Sequence, residues 1–170
     1  MSITRIDELI EEFDWFENTY KRAEMEEALT LREEITPRLL TILEAVAADP
    51  ALYVLEDHYA AVYAVALLAH FQEPAAHWPI IRAFSIPEES LDGIWGDMVT
   101  ETLPVLLIQT CNGDLAAIRE LILNCQAPEF TRGAAVVALT YAVIKGMAER
   151  DEVMTFLSTL FTGSEAEAES

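Results

Sequence analysis

Apolar residues recur at intervals of three and four at the start of the chain, which is the spacing of one face of an α-helix. The residues on this stripe are Ile3, Ile6, Leu9, Ile10, Phe13 and Phe16. Glu8, Glu11 and Glu12 fall off the stripe. The pattern therefore predicts a first amphipathic helix, and a second helix is predicted from about Arg22 to Leu31.

Prolines and acidic residues mark the limits of the next predicted helix. Thr36 followed by Pro37 is typical of an N-cap with proline at the first helical position. The third helix is therefore predicted to run from Pro37 to about Ala48. Asp49-Pro50 should end it, because proline does not continue a helix.

Two later segments, Asp57–Phe71 and Pro128–Gly146, are apolar on most sides. A helix of this composition has no face suited to water, so we expect neighbouring helices to contact it from several directions. Both segments are predicted to be central helices of the core.

Shorter predicted helices alternate with these two. They run from near Pro74 to Phe84, from Thr100 to Asn112-Gly113, from Asp114 onward and from Asp151 onward. Pro79 is expected to delay or bend the first of them. Gly113 is expected to end the second in a left-handed conformation. The stretch Leu91–Glu101, which contains Gly93 and Gly96, is predicted to be an irregular connection.

The predicted helices also repeat. The second helices of the proposed hairpins are 37, 40 and 37 residues apart, counted from Pro37, Pro74, Asp114 and Asp151. The prolines that follow three of these segments are 37 and 41 residues apart; they are Pro50, Pro87 and Pro128. Helical pairs that repeat at about 40 to 47 residues are typical of HEAT and armadillo units.

This repeat predicts an all-α fold, a short HEAT-like solenoid or α-α superhelix of about four helical hairpins behind the N-terminal helix. The repeats share shape more than residues, so a generic helical bundle with coincidental loop lengths is the alternative. Residues 1–162 are predicted to form this single domain. Residues 163–170 are predicted to form a disordered acidic tail.

Three segments of the chain carry a resemblance to a known family: Glu26 to Glu44 (EEALTLREEITPRLLTILE), Tyr63 to Glu89 (YAVALLAHFQEPAAHWPIIRAFSIPEE) and Gly96 to Leu107 (GDMVTETLPVLL). The resemblance continues through Asn112-Gly113-Asp114 and the helix after Arg132. The chain is similar to a bacterial family known only as a domain of unknown function. This resemblance implies a helical, HEAT-like domain with no established activity and no functional residues to carry over.

Longer members of that family are expected to end in a cysteine-rich zinc motif similar to the one at the C-terminus of the SecA translocase. This sequence has no such motif. Any function that resides in the zinc motif is therefore not expected of these residues.

Acidic residues outnumber basic residues 30 to 10, which gives a formal net charge of −20. Such a charge repels phosphate backbones and anionic lipid surfaces, so binding to nucleic acid or to a membrane is not expected. The acidity has one structural interpretation, which is solubility. It has two functional ones, a basic protein partner and mimicry of nucleic acid.

The sequence favours a cytoplasmic protein. The first ten residues lack the uninterrupted apolar core of a secretory signal. The longest apolar stretch, Gly133–Ile144, is too short for a bilayer, which needs about 20 residues. Cys111 and Cys125 lack CxxC spacing, which suits two structural thiols in a reducing compartment. On a predicted hairpin they would lie roughly 16 Å apart, too far for a disulfide.

Candidate chemistry is weak throughout the chain. His58, His70 and His77 all lack a glutamate three residues before them, unlike the histidines of di-iron bundles. Glu73 and His77 could share a helix face, but two ligands beside a proline are a weak metal signal. No GxGxxG, GxxxxGKS, GxxxxGKT, HExxH or GxSxG string occurs. We predict no catalytic, cofactor-binding or metal-binding residues.

The stretch Leu91–Glu101 (LDGIWGDMVTE) is the best candidate for contact with a partner, because irregular insertions on solenoids often lie on the binding face. The favoured interpretation of Trp95 is a plug in the core between the second and third hairpins. An exposed Trp95 flanked by Asp97 and Glu101 would instead suit a hot spot for a basic, partly apolar protein segment.

The favoured function is a non-enzymatic protein–protein interaction module or scaffold, with an acidic surface for a protein partner that the charge suggests is basic. One alternative is a small-molecule binder or enzyme with a pocket between the second and third hairpins. The pocket would be formed by His77, Trp78, Trp95 and Asp97. A second alternative is an acidic mimic of nucleic acid. Self-association as a homo-oligomer is compatible with either binding role.

Overall fold

The computed structural model describes residues 3–15, 17–54 and 58–168, with side chains described as far as residue 162. All regular secondary structure in these ranges is helical, which confirms the all-α class. Phe16 of the first predicted helix and Asp57 of the fourth lie outside the described residues. The elements are α1 (Arg5–Asp14), α2 (Arg22–Thr30), α3 (Arg32–Ala48), α4 (Pro50–Tyr53), α5 (Ala60–His70), a 3₁₀ helix (Pro74–Ala76), α6 (His77–Ala83), α7 (Glu88–Trp95), α8 (Met98–Glu101), α9 (Leu103–Thr110), α10 (Ala116–Leu123), α11 (Glu129–Ile144) and α12 (Arg150–Ala168).

Helix α1 begins where the side chain of Thr4 caps it. Thr4 Oγ1 accepts the Asp7 backbone N–H at 3.2 Å, and the Asp7 carboxylate accepts the Thr4 backbone N–H at 3.1 Å. This reciprocal pair is a capping box. Leu9 and Phe13 of the predicted stripe are fully buried, whereas Ile3 precedes the cap and is exposed. The first predicted helix is therefore confirmed from the cap onward.

The predicted start of the third helix at Pro37 is wrong. Helix α3 begins at Arg32, and Pro37 lies inside it. Thr36 is not an N-cap, because its hydroxyl donates to the Arg32 carbonyl at 2.7 Å within the helix. Ile35 and Leu39 are fully buried, so packing of this part of the helix outweighs the cost of an internal proline.

Two predicted features at prolines and glycines are confirmed. Pro79 delays α6, because a 3₁₀ turn over Pro74–Ala76 precedes an α-helix that starts at His77. Asn112 and Gly113, which follow the C-cap residue Cys111 of α9, have positive φ angles of 52° and 79°. These left-handed residues end the helix in the predicted way.

The stretch Leu91–Glu101 is mostly helical, which corrects the prediction of an irregular connection. Helices α7 and α8 cover most of it, and the chain turns between them at Gly96. Gly96 has φ 51° and ψ −131°, a conformation that is essentially restricted to glycine. Leu91 and Trp95 lie four residues apart and are both buried, so this face stabilises α7 in spite of Gly93.

The helices pack around one cluster of buried apolar side chains. Helix α3 packs on α5 and α6, and α9 packs on α5, α6 and α11. Helix α5 has the central position predicted for it, since its residues are buried on most sides. The buried residues of α5 are Ala60, Ala61, Ala64, Val65, Leu67, Leu68 and Ala69.

Helix α11 is contacted from several directions, as predicted, because α8, α9, α10 and α12 all pack on it, but only one of its faces is buried. The buried face consists mainly of alanines, and α8, α9 and α10 pack near it. The larger apolar side chains lie on the outer face and are exposed; they are Phe130, Val137, Tyr141 and Ile144. The reason is steric, because small residues allow neighbouring helices to approach closely.

The repeated prolines all lie at helix starts. Pro50 is the first residue of α4, and Pro87 and Pro128 directly precede α7 and α11. A proline at a helix start loses no hydrogen bond, since the first N–H groups of a helix have no partner within it. The predicted period thus marks repeated helix starts. Helix α12 continues to Ala168, past the predicted end of the domain at residue 162.

Two side chains satisfy carbonyl groups at the end of α6. Trp95 Nε1 donates to the Ala83 carbonyl at 2.8 Å, and Thr131 Oγ1 donates to the Phe84 carbonyl at 2.6 Å. The last carbonyls of a helix have no partner in a following turn, so they need such donors when they are buried. These two bonds join α7 and α11 to the same end of α6.

Thr131→Val keeps the shape of the side chain and removes its donor, which leaves the Phe84 carbonyl without its partner. We expect the free energy of unfolding to fall by about 1 to 3 kcal/mol, measured by urea denaturation. Thr140→Val is the matched control on the same helix, because Thr140 is exposed and bonds to its own helix. The control should change stability by less than about 0.5 kcal/mol, and equal losses in both variants would contradict the assignment.

Candidate functional site

An open groove lies where α7 and α8 meet the start of α11. It has a volume of about 470 Å³. Three of its residues carry carboxylates and three have apolar side chains, so we call it the acidic groove. The residues that line it are Glu88, Leu91, Asp92, Gly96, Asp97, Val99, Thr100 and Phe130.

Trp95 anchors this groove from the core side. Its ring stacks on Phe84 with centroids 4.2 Å apart and an angle of 15° between the planes. With the hydrogen bond to Ala83, this contact leaves Trp95 only 3% exposed. Trp95 therefore has the core role that the sequence favoured, and its ring is not available to a partner.

The three carboxylates come together through the local structure of α7 and α8. Glu88 and Asp92 are one turn apart on α7 and share a face beside the buried Leu91. The turn at Gly96 then brings Asp97 to the same groove from the start of α8. None of these three carboxylates forms an ion pair within the part of the chain that the structure describes.

Many carboxylates near the N-terminus are, by contrast, already neutralised by bases of the chain. All five basic residues before position 50 form ion pairs: Arg5, Lys21, Arg22, Arg32 and Arg38. Hydrogen bonds from the Thr4 backbone and from Arg38 lower the pKa of Asp7 to about 2. Other acids of this surface, such as Glu33 and Glu34 on α3, also lack an ion pair among the described residues. The acidic groove therefore differs from the N-terminal surface in placing three unpaired carboxylates beside the exposed ring of Phe130.

The sequence located part of this groove. Asp97 lines it, and Glu101 is exposed one turn further along α8. The sequence analysis missed Glu88 and Asp92. Their spacing of four residues would have indicated that both lie on one face of a helix, beside a buried apolar stripe. Phe130 was missed because its apolar segment was assigned to the core.

His77 and Trp78 lie in a different depression, which has a volume of about 310 Å³ and adjoins the turn between α9 and α10. His77 is buried there and Trp78 is 44% exposed. Asp97 lines the acidic groove and Trp95 is in the core. The structure therefore does not bring together the four residues of the pocket predicted between the second and third hairpins.

The polar groups of this depression form structural hydrogen bonds and do not provide an activated nucleophile. Thr110 Oγ1 donates to the Leu106 carbonyl at 2.8 Å, so it accepts the Nδ1–H of His77 at 2.9 Å. His77 Nε2 is buried without a hydrogen-bond partner among the described residues. Burial raises the pKa of the Cys111 thiol, which donates to the Ile108 carbonyl. A thiol kept protonated in this way is inert.

A third groove, of about 390 Å³, includes four aromatic residues in its lining. Tyr63 lies between the rings of Phe13 and Tyr20, with centroid distances of 4.7 and 6.4 Å, and Trp15 is exposed nearby. The carboxylate of this groove, Glu17, is paired with a lysine. Sequence analysis missed the groove because Tyr63 comes from a distant helix.

The weak metal candidates do not assemble. Among the described residues, no group of three or more histidine, cysteine, aspartate or glutamate side chains could hold a metal ion. The Glu73 carboxylate instead caps the 3₁₀ turn by accepting the Ala75 N–H at 3.1 Å. Cys111 and Cys125 are free thiols, one buried and one exposed.

No helix in the described ranges combines the length and the apolar character needed to span a bilayer.

The fold is that of an all-helical protein with open surface grooves. The chain belongs to the family described as "Protein of unknown function (DUF1186)", which it matches over residues 4–169. It is 31% identical over 157 residues to an uncharacterized protein of Chlamydia trachomatis serovar D, and 32% identical over 140 residues to one of Chlamydia muridarum. No solved structure matches the chain.

These alignments cover 91% and 81% of this chain and 62% and 55% of the two relatives. The chain therefore spans less than two thirds of the length of the curated relatives it matches. The predicted resemblance to a bacterial family of unknown function is confirmed.

Burial lowers the pKa of His77, and this makes stability depend on pH. The unfolded chain takes up a proton at this residue near pH 6.5, whereas the folded chain takes it up only at a lower pH. The free energy of unfolding should therefore be highest above pH 6.5 and fall below it, by at most about 1.4 kcal/mol per pH unit from this group.

Denaturant titrations at about pH 7.5 and about pH 5.5 test this dependence. His77→Asn retains an N–H donor for Thr110 and removes the ionisable imidazole. The free energy of unfolding of this variant should therefore fall less between the two pH values than that of the wild type. His70→Asn, at an exposed histidine, should behave as the wild type does. An unchanged pH dependence in His77→Asn would contradict the role of this residue.

Proposed function

We propose that this chain is a non-enzymatic protein-binding module that holds a basic and partly apolar segment of another protein in the acidic groove. The observation that carries the proposal is the set of three exposed carboxylates, without ion pairs in the described chain, beside the exposed ring of Phe130. Basic side chains of a partner would neutralise the carboxylates, and its apolar side chains would cover the ring.

The charge of the whole chain supports this choice of partner. The net charge is −20, and the stretch 51–100 contains seven acidic residues and one basic residue. A negative field of this kind raises the rate at which a basic partner arrives and repels nucleic acid and anionic lipid. The pairing of consecutive helices is compatible with the proposed HEAT-like superhelix, a fold that uses extended surfaces for protein binding.

The alternatives have less support. A small-molecule binder or enzyme was to use His77, Trp78, Trp95 and Asp97, which are dispersed over two surfaces and the core. An acidic mimic of nucleic acid would use carboxylates alone and leave the exposed Phe130 without a role. A cytoplasmic location, and a zinc motif in longer members of the family, stay predictions.

Two designed peptides of about 16 residues test the proposal. Both carry leucines at helical spacing, and the remaining positions are lysines in one and glutamates in the other. We expect the lysine peptide alone to bind, with an affinity that falls as salt is added. Asp92→Asn with Asp97→Asn should weaken binding by about three-fold to thirty-fold, measured by isothermal titration calorimetry.

Glu33→Gln with Glu34→Gln is the matched control, because both residues are exposed on α3 and the change in net charge is the same. Binding that depends on the groove should be unaffected in this control. Equal loss in the two double variants would mean that overall charge, and not the acidic groove, attracts the peptide. Equal binding of the two peptides would overturn the proposed partner chemistry.

A further inference from the structure

The outer face of α11 presents an apolar stripe that no described helix covers. Its four large residues have exposed fractions of 64%, 40%, 36% and 76%. They follow one another at spacings of seven, four and three residues, which places them within a narrow arc of the helix. They are Phe130, Val137, Tyr141 and Ile144, and we call them the outer seam.

The outer seam is symmetric about Val137. Phe130 lies seven residues before it and Ile144 seven residues after it. Tyr141 lies four residues after it, and Gly133 lies four residues before it. A side chain built on Gly133 would meet no atom within 4 Å, so there is open space above this residue.

We infer that the outer seam is the interface of a two-fold symmetric dimer, in which α11 of a second copy packs antiparallel across Val137. The two-fold axis then places Phe130 of each copy level with Ile144 of the other. It also places each Tyr141 level with Gly133 of the other copy. A self-complementary surface of this kind is what a two-fold interface requires, whereas an unrelated partner helix would need no such symmetry.

Charge at the two ends of the helix also favours the antiparallel arrangement. Glu129 and Lys145 flank the outer seam at opposite ends, and neither forms an ion pair among the described residues. Antiparallel packing brings Lys145 of one copy to the end where the other carries Glu129 and the acidic groove. Parallel packing would place like charges together at both ends.

The inferred dimer is weak and sensitive to salt. Four large apolar residues per copy form a small interface compared with the roughly 1,200 to 2,000 Å² of a stable complex. Two chains of charge −20 also repel each other. Added salt screens this repulsion, so dimerisation should strengthen with salt over the range in which binding of a basic peptide weakens.

Cysteine cross-linking tests the register directly. In a Cys125→Ser background, which removes the exposed native thiol, Phe130→Cys and Ile144→Cys proteins are oxidised separately and as a mixture. We expect a covalent dimer in the mixture and little in either protein alone. Val137→Cys, on the two-fold axis, should form a dimer by itself. Glu33→Cys, exposed on α3, is the control and should not.

Sedimentation velocity over a concentration series gives an independent measurement. The wild type should shift from monomer to dimer with rising concentration, and Val137→Asp should stay monomeric because it places two carboxylates across the axis. Thr155→Asp, which adds the same charge on the exposed surface of α12, should dimerise as the wild type does. Circular dichroism verifies that both variants are folded.

The inference fails if the wild type is monomeric at all concentrations, or if Phe130→Cys cross-links to itself as readily as to Ile144→Cys. It also fails if Val137→Asp dimerises normally. These outcomes are distinguishable from failure of the proposed function, because peptide binding depends on Asp92 and Asp97 and responds to salt in the opposite way. The two proposals share only the ring of Phe130. Failure of peptide binding in turn leaves the dimer test unaffected.

Discussion

The end of α6 is the junction on which the rest of the structure depends. Phe84 stacks on Trp95 there, and the last two carbonyls accept hydrogen bonds from Trp95 and Thr131. Through these contacts α7 and α11 are attached to one point of the core. The acidic groove between them is therefore held in shape by the chain itself, and this preorganisation would reduce the conformational entropy lost on binding the proposed partner.

The positions of the basic residues decide which surface carboxylates are paired within the chain. Acidic residues are common along the whole chain, but all the bases of residues 1–50 pair with neighbouring carboxylates. Glu88, Asp92 and Asp97 have no such partner among the described residues. A carboxylate paired within its own chain must lose that contact before it can bind a partner, so the groove acids are the better suited to recognition.

Helix α11 shows how side-chain size decides which apolar face is buried. Its alanines allow α8, α9 and α10 to pack close to it, and its large apolar residues are left outside. An exposed apolar face on a folded chain usually marks a contact surface. The acidic groove and the outer seam share Phe130, so a partner segment and a second copy would compete for this ring.

The sequence by itself determined where most helices exist, because apolar spacing, left-handed residues such as Gly113 and prolines such as Pro87 are local signals. The sequence wrongly predicted a helix start at Pro37, because burial of the neighbouring apolar residues outweighs the tendency of proline to begin a helix. It also wrongly predicted an irregular connection over residues 91–101, because the buried face formed by Leu91 and Trp95 stabilises a helix there in spite of Gly93. It located Asp97 within the candidate site. Only the tertiary structure decided that Phe130 faces solvent, and which carboxylates remain without an ion pair, since both depend on neighbours distant in sequence.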